Sequence, residues 1–366
     1  MTKTECISEA ALSSPDRTID IKTFYQRLAR LGFPRKFVNE VLLPDWWCDE
    51  FEQQKGAVCE AAAHVSRRTN LDFEALLDAT QSPFFREGGN PCYKLRHGTE
   101  QSNLTNAQAM AERVAELVAY SYPQPLNPFE TIDAHAIRKQ ILSNSDFVTL
   151  ESLLMFCWGS GIPVVHTNCF PDSLGQKKFD GMVGEYSDCP VILIGKNHKS
   201  PAWLAFIVAH ELGHIVCGHV KGSSIVDEKI EPDEQGDLQE LEADQFAIEV
   251  LFGRKDASYD CLENLNPQSL IAYATAKSKS DTVVPMLVIL NYAWFKAKKA
   301  ASKEAKSAVW KIANKALVKI EDKNITASKL INRELEKRLA WDILSDDNQE
   351  FLERMTGIEV GMLASY

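Results

Sequence analysis

The 366-residue chain has little apolar character in its first residues: MTKTECISEAALSSPDRT is polar and contains no apolar core segment, so no secretory leader is expected. It also lacks an apolar run long enough to cross a bilayer. The longest, 283–295, is interrupted by Pro285, Asn291 and Tyr292 and reads as a buried helix. The nine cysteines are odd in number, form no CxxC pair and follow no regular spacing, which argues against a disulfide framework and against a Cys-rich zinc finger. Together these absences lead to the expectation of a cytoplasmic protein with no membrane contact. No stretch is dominated by Gly, Pro or Ser and no internal repeat is present, so most of the chain is expected to be ordered.

Positive charge is scarce overall. A formal net charge of −11 argues against nucleic-acid binding by the chain as a whole. The charge is uneven, however, and Lys296–Arg338 carries thirteen Lys/Arg against five Asp/Glu. One reading of this stretch is a site for a nucleic-acid effector. The other is a set of amphipathic helices with solvated faces, and the apolar stripe Trp310, Ile312, Leu317 and Ile320 favours it.

What is present at both ends is helical periodicity. Residues 1–125 read as a helical N-terminal region, broken at Gly32-Phe33-Pro34, Pro44 and Gly88–Pro91. Within it, AAAHVSRRTNLDFEALL has the outline of a degenerate helix-turn-helix about Thr69-Asn70, an outline that any helical hairpin shares, with Arg67 and Arg68 expected as solvated charges. Residues 126–264 introduce short strands at 162–166, 181–186 and 191–194, then a helix opened by Ser200-Pro201 and another from Asp237 to Phe252. Residues 265–366 return to helices and are locally basic. The expected fold class is α+β, a small sheet packed on two helices and flanked by helical N- and C-terminal regions.

The chemistry lies in AWLAFIVAHELGHIVCGH. His210 and His214 are four apart, so on a helix both imidazoles face one ion. Glu211 is rotated by about 100° from the first histidine, which suits a general base better than a ligand. Zinc lowers the pKa of its water toward ~7, where a carboxylate can take the proton. Metzincins place a third histidine ten positions after the first, and here Val220 stands there, so that class is excluded. His219 lies about 140° around the helix from His214 and reads as a helix-end residue or one that supports a ligand. The better third ligand is Glu240 in QELEADQFA, with Asp244 on the same helix face positioned to accept the spare N–H of a ligand histidine. Glu242 reads as a solvated charge and remains the alternative ligand.

HELGH followed by ELEADQFA resembles the ImmA/IrrE family of metallopeptidases, and the preceding GEYSDCPVILIGKN resembles that family's edge strand. The resemblance spans about residues 126–255. It implies one zinc per chain, a cytoplasmic metalloendopeptidase, and a protein partner of the helix-turn-helix repressor class in a mobile-element, stress or phage-defence locus. The proline that often ends the family's second motif helix is missing here. A rival reading is a non-proteolytic regulator that holds a structural zinc and binds DNA or a repressor. Two further residues are candidates. Tyr186, on the strand expected to pair with substrate, is read as a packed aromatic or as a contact to the scissile carbonyl. Cys92, in a Gly/Pro-opened loop between basic residues, is a candidate inhibitory zinc ligand, with Cys169 and Cys189 as alternatives.

Overall fold

Apolar residues spaced three and four apart bury one face of each of the two longest helices near the N-terminus, Ile21–Arg30 and Ala57–Thr69. The computed structural model describes residues 19–86, 94–95, 105–123, 133–171, 179–220, 224–227, 238–260, 266–321 and 326–359. The chain divides into two compact units, residues 1–88 with 171–175, and residues 89–170 with 176–366.

The first unit holds α1 (Ile21–Arg30), α2 (Arg35–Phe37) leading into a π-helical turn, α3 (Asp49–Glu52), α4 (Ala57–Thr69) and α5 (Phe73–Leu77). Phe24, Leu28, Phe33, Leu42, Val65, Leu71 and Leu76 form its core, each fully buried. The α4–α5 pair turns through Asn70 in the left-handed region at φ 61°, and Asp72 caps α5 by accepting from Ala75 N–H. Arg68 departs from expectation. It is buried, and its guanidinium donates to the carbonyls of Val41 and Leu43 at 2.9 and 3.3 Å, at the end of the π-turn. Arg67 is exposed as expected.

The second unit contains α6 (Thr105–Ser121), α7 (Ala134–Leu142), α8 (Leu150–Gly159), α9 (Pro201–Val216), α10 (Leu238–Phe252), α11 (Pro267–Asp281), α12 (Pro285–Lys298), α13 (Lys303–Ile320), α14 (Ala327–Arg338) and α15 (Asp346–Thr356). Its mixed sheet comprises β1 (Lys94–Leu95), β2 (Val164–His166), β3 (Gly181–Tyr186), β4 (Cys189–Ile194) and β5 (Ile225–Asp227), in spatial order β1-β5-β3-β4-β2. β3 and β4 form a hairpin through Ser187 and Asp188, both at positive φ, the backbone that a two-residue turn requires for twisted strands. The architecture is α+β, as the sequence led us to expect. β1 and β5 were not expected.

On α13 the lysines 303, 306, 311, 315 and 319 are exposed. Its buried face is Ala313, Ala316 and Leu317, while Trp310, Ile312 and Ile320 are only half-buried, so the core stripe is narrower and made of smaller residues than expected. Among the described residues, no helix is long and apolar enough to cross a membrane.

Candidate metal centre

Pro201 at the first helical position pre-sets the backbone that starts α9. From Leu204 to His214 almost every residue of this helix is buried, because α8, α10, α12, β3 and β4 all pack on it. His210, Glu211 and His214 are therefore 0–1% exposed inside an apolar helix. Such burial is costly for polar groups unless they are paired or bind a metal.

α10 approaches α9 more closely than ordinary side chains permit. A Cβ on Gly213 would come within 3.0 Å of Ala243 Cα and 3.1 Å of its carbonyl oxygen. The crossing works because Gly213 and Ala243 are both small, and it brings Glu240 to the two histidines. Glu240 Oε2 is 3.5 Å from His210 Nε2, Glu240 Oε1 is 3.5 Å from His214 Nε2, and the two Nε2 atoms are 3.1 Å apart. Ligand atoms at about 2.0–2.1 Å from a tetrahedral zinc lie about 3.3–3.4 Å from one another. The three donor atoms thus have the spacing and the chemistry of a His₂Glu zinc site.

The outer nitrogens of both histidines are also engaged. His210 Nδ1 lies 2.9 Å from Asp244 Oδ1, and an N–H there leaves Nε2 with its lone pair toward the metal position. His214 Nδ1 lies 3.0 Å from His219 Nδ1, and His219 Nε2 lies 2.9 Å from Glu242 Oε2. The carboxylate of Glu242 only accepts, so His219 carries its proton on Nε2 and accepts at Nδ1 from His214. His214 is thereby left with a lone pair on Nε2. His219 is the helix-end residue supporting a ligand that the sequence led us to expect. In the structure the helix stops at Val216, Gly218 adopts φ 76°, and the chain folds back to bring the two rings together. Glu242 is exposed as expected, with its side chain 61% accessible, but it is a member of this relay.

Glu211 faces β3. A Cβ on Gly181 would fall 2.0 Å from Glu211 Oε1 and 2.8 Å from its carboxyl carbon, so the carboxylate occupies the space that a side chain at 181 would need. Gly181 was missed by sequence reasoning, and its only signal was a glycine opening a strand. Tyr186 is buried on the same strand and folds back over Gly184, where an added Cβ would come 2.8 Å from its hydroxyl and 2.6 Å from Ser224 Oγ. β3 pairs with β4 along its whole length and with β5 only over 181–183. Among the described residues, Gly184–Tyr186 therefore have a strand on one side alone.

Of the cysteines proposed as inhibitory ligands, Cys92 lies outside the described residues. Cys169 is half-buried. Cys189 is buried on β4, and desolvation pushes its thiol up to about 12, which disfavours the ligating thiolate.

Residues 161–270 match the family model of the IrrE N-terminal-like domain of the M78 peptidases. This is the family to which HELGH and ELEADQFA pointed, and its members are metallopeptidases that are zinc-dependent in general. The matched segment spans β2, β3, β4, α9, β5 and α10, and so every residue of the cluster. No curated protein and no solved structure matches the chain.

Proposed function

Taking residues 161–270 as an IrrE N-terminal-like peptidase domain, we propose that the protein is a zinc-dependent endopeptidase in which His210, His214 and Glu240 hold the ion and Glu211 is the general base. The observation that carries this reading is the buried His₂Glu cluster with a further carboxylate, Glu211, one residue from the first histidine and outside the ligand set. Three protein ligands leave one position open, as catalytic zinc sites do and structural sites do not. Zinc bound there would acidify a water and polarise a carbonyl. Glu211 takes the proton from the attacking water and returns it to the leaving amine. Asp244, and the His219–Glu242 pair, hold the two imidazoles in the tautomers that ligation needs. An extended substrate would add as a strand beside β3 near Gly184, with backbone hydrogen bonds giving affinity that depends little on sequence.

A protein substrate follows from the peptidase family. The finer identification, a helix-turn-helix repressor, rests on the resemblance alone. The test uses Glu211→Gln as a trap. This variant should hold one zinc per chain, as wild type does, and should retain its protein substrate because cleavage falls by about 10²–10⁴-fold. The captured protein is then offered to wild type with and without chelator. Cleavage by Glu211→Gln at the wild-type rate, or by metal-free wild type, would overturn the mechanism.

A further inference from the structure

A second group of metal-ligating side chains lies immediately outside the first. Cys217, His219 and Glu242 each present one ligand atom, and these atoms lie within 4.8 Å of one another. The group exists because α9 ends at Val216 and Gly218 turns the chain back, setting Cys217 and His219 beside the outer face of α10. Cys217 and Glu242 are exposed, so an ion has access and both side chains have room to turn. Partial burial and the Glu242 carboxylate raise the Cys217 thiol above its ordinary range, so an ion binds there by displacing the thiol proton. His219 is buried and held at Nδ1 by His214, while its Nε2 points outward to Glu242. Sulfur and nitrogen ligands of a tetrahedral zinc lie about 3.5 Å apart, so rotation of the two exposed side chains closes the group on an ion. Thiolate, imidazole and carboxylate together suit zinc or cobalt and not magnesium or calcium.

We propose that Cys217, His219 and Glu242 form a second metal site for zinc or a similar divalent ion, and that an ion there works against the one held by His210, His214 and Glu240. The antagonism follows from where the protons are. An ion on His214 Nε2 requires the proton of His214 on Nδ1, facing His219 Nδ1 at 3.0 Å. That contact is favourable only while His219 Nδ1 carries a lone pair and its proton is on Nε2. An ion on His219 Nε2 displaces that proton to Nδ1, and two N–H groups then oppose each other across the same 3.0 Å. Both sites filled with neutral rings is the disfavoured state. The coupling is reciprocal, so excess metal weakens the hold of the inner site on its ion. Only this consequence for catalysis rests on the peptidase reading, since the outer site binds metal whatever the inner site does.

The test is a titration of the full-length metal-free protein with Co²⁺, followed by thiolate-to-cobalt charge-transfer absorption. Two equivalents should bind, with the thiolate band growing only during the second. Cys217→Ser should bind one equivalent without the band. In His210→Ala, or in Glu240→Gln should the first variant fail to fold, the band should appear at roughly tenfold lower cobalt, a shift typical of coupled sites. No thiolate band at any cobalt concentration, or a band that persists in Cys217→Ser, would refute the outer site. An unshifted band in the inner-site variants would refute the antagonism. Failure of the peptidase reading alone is distinguishable, because it leaves both cobalt sites intact and abolishes only substrate cleavage.

Discussion

Glu211 occupies space that Gly181 leaves empty, and this steric fact separates metal binding from catalysis at a single residue. In Gly181→Ala the new methyl overlaps the carboxylate, which must swing away, while His210, His214 and Glu240 are untouched. The expected result is one zinc per chain with cleavage lowered by about 10²-fold or more, since the base contributes that much. Metal analysis and a cleavage assay on the same preparation check it, and loss of zinc in the variant would show that position 181 supports the ligands instead. At this scale the motif residues were legible, because two histidines four apart on an apolar helix have few uses other than a metal. Arg68 was misjudged, because the carbonyls it reaches are set by where the π-turn ends, which angular spacing along an ideal helix does not show. His219, read as a helix-end or supporting residue, and Glu242, read as an exposed charge, stand as expected, but their pairing was not legible because it depends on where α9 stops.

Among the elements, the α9–α10 crossing determines whether a third ligand reaches the histidines at all. Gly213 and Ala243, one in each motif, touch at the crossing, so the xx of HExxH is constrained on this chain by packing rather than by chemistry. Gly213→Val would insert two methyl groups and a β carbon against the Ala243 backbone and force α10 outward, which overpacking studies put at about 1–3 kcal/mol of lost stability. Both zinc content and thermal stability should fall, in contrast to Gly181→Ala, where only cleavage falls. Calorimetry of the metal-free and zinc-loaded forms separates the two losses, and a variant that keeps wild-type zinc affinity would refute the close-approach argument. Most helices and three strands were legible from periodicity and from Ser-Pro and Gly punctuation. β5 was not, because no Gly or Pro adjoins it, no alternation marks it, and it takes its pairing from β3, some forty residues earlier in the chain.

For the molecule as a whole, the three-region outline read from periodicity gave no hint of how the C-terminal helices join the sheet. They do so through polar contacts between residues far apart in sequence. Asn332 on α14 accepts from His166 N–H of β2 at 2.9 Å and donates to the His166 carbonyl at 2.9 Å and the Thr356 carbonyl at 2.7 Å, so one amide links β2, α14 and the end of α15. The His166 ring is buried in the same place, with Nε2 3.1 Å from the Lys196 carbonyl that follows β4, a position that suits an N–H donor. Desolvation holds its pKa below the ordinary 6.5, outweighing the two backbone hydrogen bonds that raise it. In the unfolded chain His166 gains its proton near 6.5, whereas in the fold it does so only at lower pH. Below pH 6.5 the unfolded state therefore binds more protons, and stability falls as pH drops through this window toward the folded pKa. His198 is also held low, by burial and by the positive charge of Lys196, and it adds a slope of the same sign. The comparison must accordingly be wild type against His166→Gln, in which an amide N–H can replace the bond to Lys196 and nothing at 166 titrates. Urea unfolding at a series of pH values should show the largest advantage of wild type over the variant above pH 6.5 and a shrinking one below it. A gap that stays constant from pH 7.5 to 5 would mean that His166 takes no proton on acid unfolding and that its burial contributes packing alone.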